Sequence, residues 1–86
     1  MSPCYRKKPI IIEAIQYLGF EENGGEVEEF LGEDFSCHAP SKNEIDIRTL
    51  EGTHVASKGD FVICSVRGEH YTCKPDIFAE IYEEVS

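Results

Sequence analysis

The chain has 86 residues, of which 41% are hydrophobic, so we expect one domain, residues 1–86, with a single modest core. Its net charge is −9, from 17 acidic residues against eight Lys and Arg, and this excludes bulk nucleic acid as an expected partner, because phosphate binding needs a basic surface. No apolar run approaches the roughly 20 residues that cross a bilayer, and the N-terminal segment has no signal-peptide pattern. We therefore expect a cytoplasmic protein with no membrane partner.

The first predicted element is a strand over residues 10–17, opened by Pro9. The run is β-branched and apolar on both faces, which is typical of a central strand. Glu13 interrupts it, and a buried carboxylate would need a partner because an unpaired buried charge is costly. The candidate partners are Arg48, Arg67 and Lys74.

One short helix is predicted over residues 25–31, after a Gly-rich loop. Val27, Phe30 and Leu31 lie at positions i, i+3 and i+4, and so share one helical face. Gly32 follows as a residue suited to end the helix. The acidic residues on the other face are expected to be solvated.

The rest of the chain predicts short strands separated by Gly and Pro turns. The predicted strands cover residues 35–39 (an edge strand), 44–50, 53–56, 61–66 and 69–73, with a tight hairpin at 51–52. Pro75 suits a first helical position, so we expect one helical turn there and a terminal strand over 79–85, with a helix continuing from Pro75 as the alternative. Together these elements predict an α+β fold, a small curved antiparallel β-sheet of about five to six strands with one short α-helix.

The last hairpin determines which side chains meet. If Arg67 and Gly68 form a two-residue turn, Cys64 faces Tyr71 and Val62 faces Cys73, although a longer loop would change this pairing. In this register the core face carries Val62, Cys64, Val66, Tyr71 and Cys73. His70 and Lys74 then lie on the opposite face.

No enzyme is expected. Cys64 and Cys73 are each predicted to lie on the face opposite His70, whereas a nucleophile needs a base within hydrogen-bonding reach. No G-x-S-x-G, P-loop or H-E-x-x-H motif occurs. His54 is interpreted, like His70, as a surface or structural residue rather than a catalytic one.

No metal and no cofactor are predicted either. The four cysteines have no C-x-x-C spacing, and in a reducing compartment they are expected to be small buried hydrophobes rather than disulfides. A zinc site made by all four is the open alternative. They are Cys4, Cys37, Cys64 and Cys73.

Segments at both ends of the chain carry a recognisable pattern, and the last two form the motif Gly-Glu-x-Tyr-x-Cys-Lys-Pro-Asp-Ile-Phe. The segments are residues 5–17, 50–54, 59–63, 66–69 and 71–78. Through them the chain resembles a widespread family of small phage and prophage proteins, many of which have proline where this chain has Thr72. The resemblance covers roughly half the chain, outside residues 19–44. It implies a phage origin, action in the host cytoplasm and an accessory role, in which such proteins counter host defence by capturing a nucleotide signal or blocking a host protein.

Basic and aromatic residues near the last hairpin predict a binding site for a small anionic ligand. Arginine and lysine bind phosphate, and tyrosine stacks on a base. Glu13 would orient an arginine or accept a ligand hydroxyl, although an internal salt bridge explains it equally well. We expect the site to lie between subunits of a homo-oligomer. The predicted ligand-binding residues are Arg67, His70, Tyr71, Lys74, Glu13 and Arg6.

The alternative is an acidic protein-binding module that inhibits a host protein by covering a basic surface. Runs of acidic residues occur in four places, and they equally fit a solvated surface. The runs lie at residues 21–22, 26–29, 33–34 and 80–84.

Overall fold

The computed structural model describes residues 3–5 and 8–85, and within these ranges it contains six strands and two α-helices. This confirms the predicted α+β class. In chain order the elements are β1 (Glu13–Gln16), α1 (Phe20–Leu31), β2 (Phe35–Ala39), β3 (Glu44–Thr49), β4 (Gly52–Ser57), β5 (Phe61–Cys64), β6 (His70–Cys73) and α2 (Pro75–Ile81). Short 3₁₀ turns at Gly32–Asp34 and Pro40–Lys42 join β2 to α1 and to β3, respectively.

The strands form two three-stranded antiparallel sheets, with the orders β1-β5-β6 and β2-β3-β4. β1 lies at an edge, so the prediction of a central strand over residues 10–17 is wrong. Only Glu13–Gln16 pair with β5, because β5 itself is only four residues long and offers no partner to residues 10–12. Glu13 is exposed, and the buried salt bridge considered for it is not made.

The core lies between the two sheets and α1. Its fully buried side chains include Val27 and Leu31 of α1, which confirms the predicted helical face, and Gly32 ends the helix with φ 57°. The helix begins at Phe20, five residues earlier than predicted, but Asn23 is non-helical (φ −150°, ψ 26°) and kinks it, so the predicted helix corresponds to the segment after the kink. The Asn23 side chain accepts a hydrogen bond from Leu18 N and donates one to Gln16 O, both at 2.8 Å.

The β5–β6 register differs from the prediction by one residue. Cys64 pairs with His70 and Val62 with Thr72, because residues 65–69 form a five-residue loop instead of a two-residue turn at Arg67 and Gly68. A one-residue shift exchanges the two faces of a strand. His70 is therefore buried, with 8% exposure, whereas Tyr71, predicted to be core, is 39% exposed. Val66, also predicted to be core, is 71% exposed in the loop.

The C-terminal segment is helical. α2 runs over Pro75–Ile81, so the predicted terminal strand is wrong and the alternative, a helix continuing from Pro75, is confirmed. Phe78 stacks on Phe61 of β5, with ring centroids 3.8 Å apart and planes 2° from parallel. Tyr82, four residues after Phe78, packs against it at 4.9 Å, a contact that the i, i+4 spacing of a helix permits. Among the described residues, no helix is long and apolar enough to cross a membrane.

Candidate functional site

A histidine–aspartate pair connects β6 to the 3₁₀ turn that follows α1. His70 opens β6, and Asp34 ends the 3₁₀ turn that follows α1. The His70 Nδ1 lies 2.7 Å from Asp34 Oδ2, and the imidazole meets the Phe30 ring edge to face at 5.6 Å. Because a carboxylate only accepts hydrogen bonds, His70 Nδ1 carries the hydrogen of this bond. In the neutral imidazole Nε2 is then the nitrogen without a hydrogen. The ring is thus fixed in orientation by contacts on two sides.

Cys64 lies directly opposite His70 across the β5–β6 ladder. Cross-strand partners in an antiparallel sheet project from the same face, so the prediction that these two residues lie on opposite faces is wrong. On its other side Cys64 pairs with Glu13 of β1. Three titratable residues therefore form a row across this sheet, Glu13, Cys64 and His70, and Asp34 continues it beyond the edge strand.

A cavity of about 160 Å³ lies next to His70, where β6 packs beside the β3–β4 hairpin. Its wall is mostly apolar, with two imidazoles, a phenol and two carboxylates around it. The hairpin turn is formed by Leu50 and Glu51, one residue earlier than predicted, since Thr49 pairs with Gly52. The lining residues are Thr49, Leu50, Glu51, His54, Glu69, His70 and Tyr71.

The structure brings together only part of the predicted ligand site. His70 and Tyr71 both line the cavity, and Arg67 is exposed on the loop that leads into it. Lys74 is held elsewhere, because its Nζ lies 3.1 Å from both carboxylate oxygens of the buried Asp60. Glu13 belongs to the titratable row and does not line the cavity.

Arg6, the remaining predicted site residue, lies outside the described residues. Asp34 was not among the predicted site residues, and neither His54 nor Cys64 was assigned to a site. Asp34 is one acid among 17, and its pairing with a histidine 36 positions later has no local signal. The position of Cys64 opposite His70 could have been predicted only with the correct length of the 65–69 loop.

Two other cysteines are held in the thiol form. The Cys37 Sγ donates a hydrogen bond to Asp46 Oδ2 at 3.3 Å, and this bond, which forms only with the protonated sulfur, raises the Cys37 pKa. Burial, followed by the nearby Asp76 and Asp60 charges, raises the pKa of Cys73. Neither thiol is activated at neutral pH. Within the part of the chain that the structure describes, no group of three His, Cys, Asp or Glu side chains could hold a metal ion.

Comparison of the chain with protein-family models, with curated proteins and with solved structures finds no match. The resemblance to the phage family therefore stays an expectation drawn from the motif residues, and function has to be argued from the geometry of the site.

Proposed function

We propose that the protein binds and sequesters a small anionic ligand without chemical change, and that this ligand is a nucleotide immune signal of the host. The observation that carries the proposal is the cavity beside β6, in which His54, His70 and Tyr71 meet. Aromatic rings and a mostly apolar wall suit a nucleobase, because a base stacks on an aromatic face and bonds through its edges.

The size of the cavity limits what it holds. About 160 Å³ is well below the roughly 300–1,000 Å³ of pockets for drug-sized ligands, so it accommodates one ring system and not a whole nucleotide. The phosphates would extend toward the 65–69 loop, where Arg67 is exposed two residues before Glu69. The Glu51 and Glu69 carboxylates accept hydrogen bonds, so amino groups of a base fit beside them better than phosphate oxygens do.

We place this activity in the host cytoplasm, as an accessory function of a phage protein, on the strength of the motif resemblance. A homo-oligomer is part of the proposal. Several large apolar side chains near the two ends of the described chain are exposed, which favours a second copy as the surface that covers them. These include Ile10, Ile11, Ile77 and Ile81.

Native mass spectrometry tests the proposal, with the purified protein alone and after incubation with cyclic and ADP-ribose-type nucleotides. We expect a stoichiometric adduct that is released intact on denaturation, in a spectrum that also gives the oligomeric state. Tyr71→Ala and Arg67→Ala should each weaken the adduct by about tenfold or more, as expected for a lost stacking contact or phosphate bond. The matched controls, Tyr5→Ala and Lys58→Ala, remove an exposed tyrosine and an exposed cation elsewhere and should bind as the parent does. No adduct with any nucleotide would refute the proposal.

A second candidate function, an acidic module that blocks a host protein, is favoured by charge segregation. Residues 9–41 contain no Lys or Arg and eight acidic residues, and all but Asp34 of these are exposed. The exposed ones are Glu13, Glu21, Glu22, Glu26, Glu28, Glu29 and Glu33. Such a surface attracts a basic protein over distances of about a Debye length.

Charge reversal separates the two candidates. Glu26→Lys combined with Glu29→Lys changes the exposed face of α1 and leaves the cavity lining intact. Under the second candidate this double variant should lose a host protein that the parent captures from lysate, whereas Glu80→Lys with Glu84→Lys at the C-terminal end should retain it. Equal loss in both double variants would instead indicate a non-specific effect of net charge.

A further inference from the structure

The Cys64–His70 pair belongs to the closer of the two types of antiparallel neighbour. The next pair along the hairpin carries a ladder hydrogen bond, from Ser65 N to Glu69 O at 2.8 Å. Hydrogen-bonded and non-hydrogen-bonded pairs alternate along such a ladder, so Cys64 and His70 form a non-hydrogen-bonded pair, whose Cα atoms are typically about 4.5 Å apart. Their side chains leave the same face as direct neighbours.

His70 is prepared to act as a base toward this neighbour. Its Nδ1 is committed to Asp34 at 2.7 Å, which fixes the tautomer and leaves Nε2 as the nitrogen able to accept a proton. The Asp34 carboxylate also stabilises the imidazolium that proton transfer creates. Cys64, His70 and Asp34 thus follow one another across the sheet edge, and they are the residue types that nucleophilic thiol sites use, although the Cys64 thiol is hydrogen-bonded to the Ser65 carbonyl and not to His70 in this structure.

We propose that Cys64 is a nucleophilic thiol that reacts with soft carbon electrophiles, with His70 as its base and Asp34 as the positioning residue. In the reaction the Cys64 proton passes to His70 Nε2, the sulfur electron pair forms an S–C bond, and the bond from that carbon to its leaving group breaks. The leaving group departs with its electron pair. This inference does not depend on a ligand in the neighbouring cavity.

Two contacts oppose the reaction and make it testable. In the structure the Cys64 Sγ points to the Ser65 carbonyl oxygen at 3.7 Å, so a side-chain rotation must precede attack, as is common in ligand-free sites. The titratable groups that face Cys64 are Glu13 from β1 and His70 from β6, with Asp34 behind the imidazole. A Glu13 carboxylate disfavours a neighbouring thiolate, so Glu13→Gln should increase the reactivity of Cys64.

The test is alkylation by iodoacetamide at neutral pH, followed residue by residue with peptide mass mapping in the full, folded chain. Accessibility alone would make the exposed Cys4 and Cys37 react before the half-buried Cys64. Activation by His70 predicts the reverse order, with Cys64 at least about tenfold faster, a modest part of the 10²–10⁴-fold that a positioned base contributes. Cys64 reacting no faster than the exposed Cys4 would overturn the proposal without any variant.

Variants then identify the base. Asp34→Asn and His70→Gln should each slow Cys64 by about tenfold or more and leave the Cys4 rate unchanged, whereas loosening of the fold would accelerate the partly buried Cys73 as well. The Cys73 rate therefore reports unfolding in the same spectrum. If His70→Gln does not slow Cys64, His70 is not the base and the assignment is wrong.

Discussion

Removing the carboxylate of Asp34 should destabilise the fold through His70. In Asp34→Ala the imidazole Nδ1–H loses its acceptor while the ring, with a side chain only 9% exposed, stays under α1. A buried donor left without a partner costs about 1–3 kcal/mol. The Asp34 side chain is itself 35% exposed, so water entering the space should keep the loss near the lower end of that range. For a domain of this size each kcal/mol lowers Tm by about 4–8 °C.

The measurement is urea and thermal denaturation of the parent, Asp34→Ala and Asp46→Ala. Asp46 is the matched control, because within residues 3–5 and 8–85 its side chain accepts a hydrogen bond from the exposed Cys37 alone, and its removal changes the net charge by the same amount. We expect a change below about 0.5 kcal/mol for the control, as for most surface substitutions. Equal losses in the two variants would refute the idea that a buried imidazole depends on Asp34.

Three further predictions concern other contacts. Asn43 has φ 55°, and its Oδ1 accepts hydrogen bonds from Tyr17 OH and Phe20 N. Both Asn43→Ala and Asn43→Gly lose these bonds, but alanine also resists the left-handed conformation, so Asn43→Ala should cost about 1 kcal/mol more than Asn43→Gly in urea denaturation. Equal costs would contradict this. Burial, aided by the Glu22 and Glu44 charges, raises the pKa of Tyr17. The free energy of unfolding should therefore fall as pH rises above about 10, and it should fall less in Tyr17→Phe, as measured by denaturation across alkaline pH. Parallel curves for the two proteins would show that another group is responsible. Asp46→Asn should accelerate iodoacetamide alkylation of Cys37 near pH 8, because the hydrogen bond to the Asp46 carboxylate raises the Cys37 pKa. An unchanged rate would show that this hydrogen bond does not raise the Cys37 pKa.

Elements with a strong local pattern were predictable from the sequence. The helical spacing of Val27 and Leu31, followed by Gly32, located the C-terminal half of α1, and the alternation of Ile45 and Ile47 located β3, where both side chains are fully buried. These patterns work because a 3.6-residue or two-residue period defines one buried face without reference to the rest of the chain. The first turn of α1 was missed because it is separated from the rest of the helix by a kink at Asn23, whose side chain bonds to Leu18 N and Gln16 O.

The candidate site was predictable only in part. His70 and Tyr71 were named from residue chemistry, and both line the cavity. Lys74 was grouped with them by proximity in sequence, but tertiary structure pairs it with Asp60, 14 positions away and buried. The buried Asp60 carboxylate needs a cationic partner, and Lys74 supplies it. A local sequence pattern does not show which carboxylate is buried, so this pairing could not be predicted.

The sequence by itself determined the α+β class, the approximate positions of β2 to β6 and the acidic surface, because hydrophobic period, turn residues and charge are local properties. Tertiary structure alone decided the division into two sheets and the shift of one residue between β5 and β6. That shift has the largest consequence for function, since it moves His70 from the solvent side to the face of Cys64 and within reach of Asp34. Strand alternation has a period of two, so one extra residue in a loop exchanges the faces of a strand without changing its hydrophobic composition.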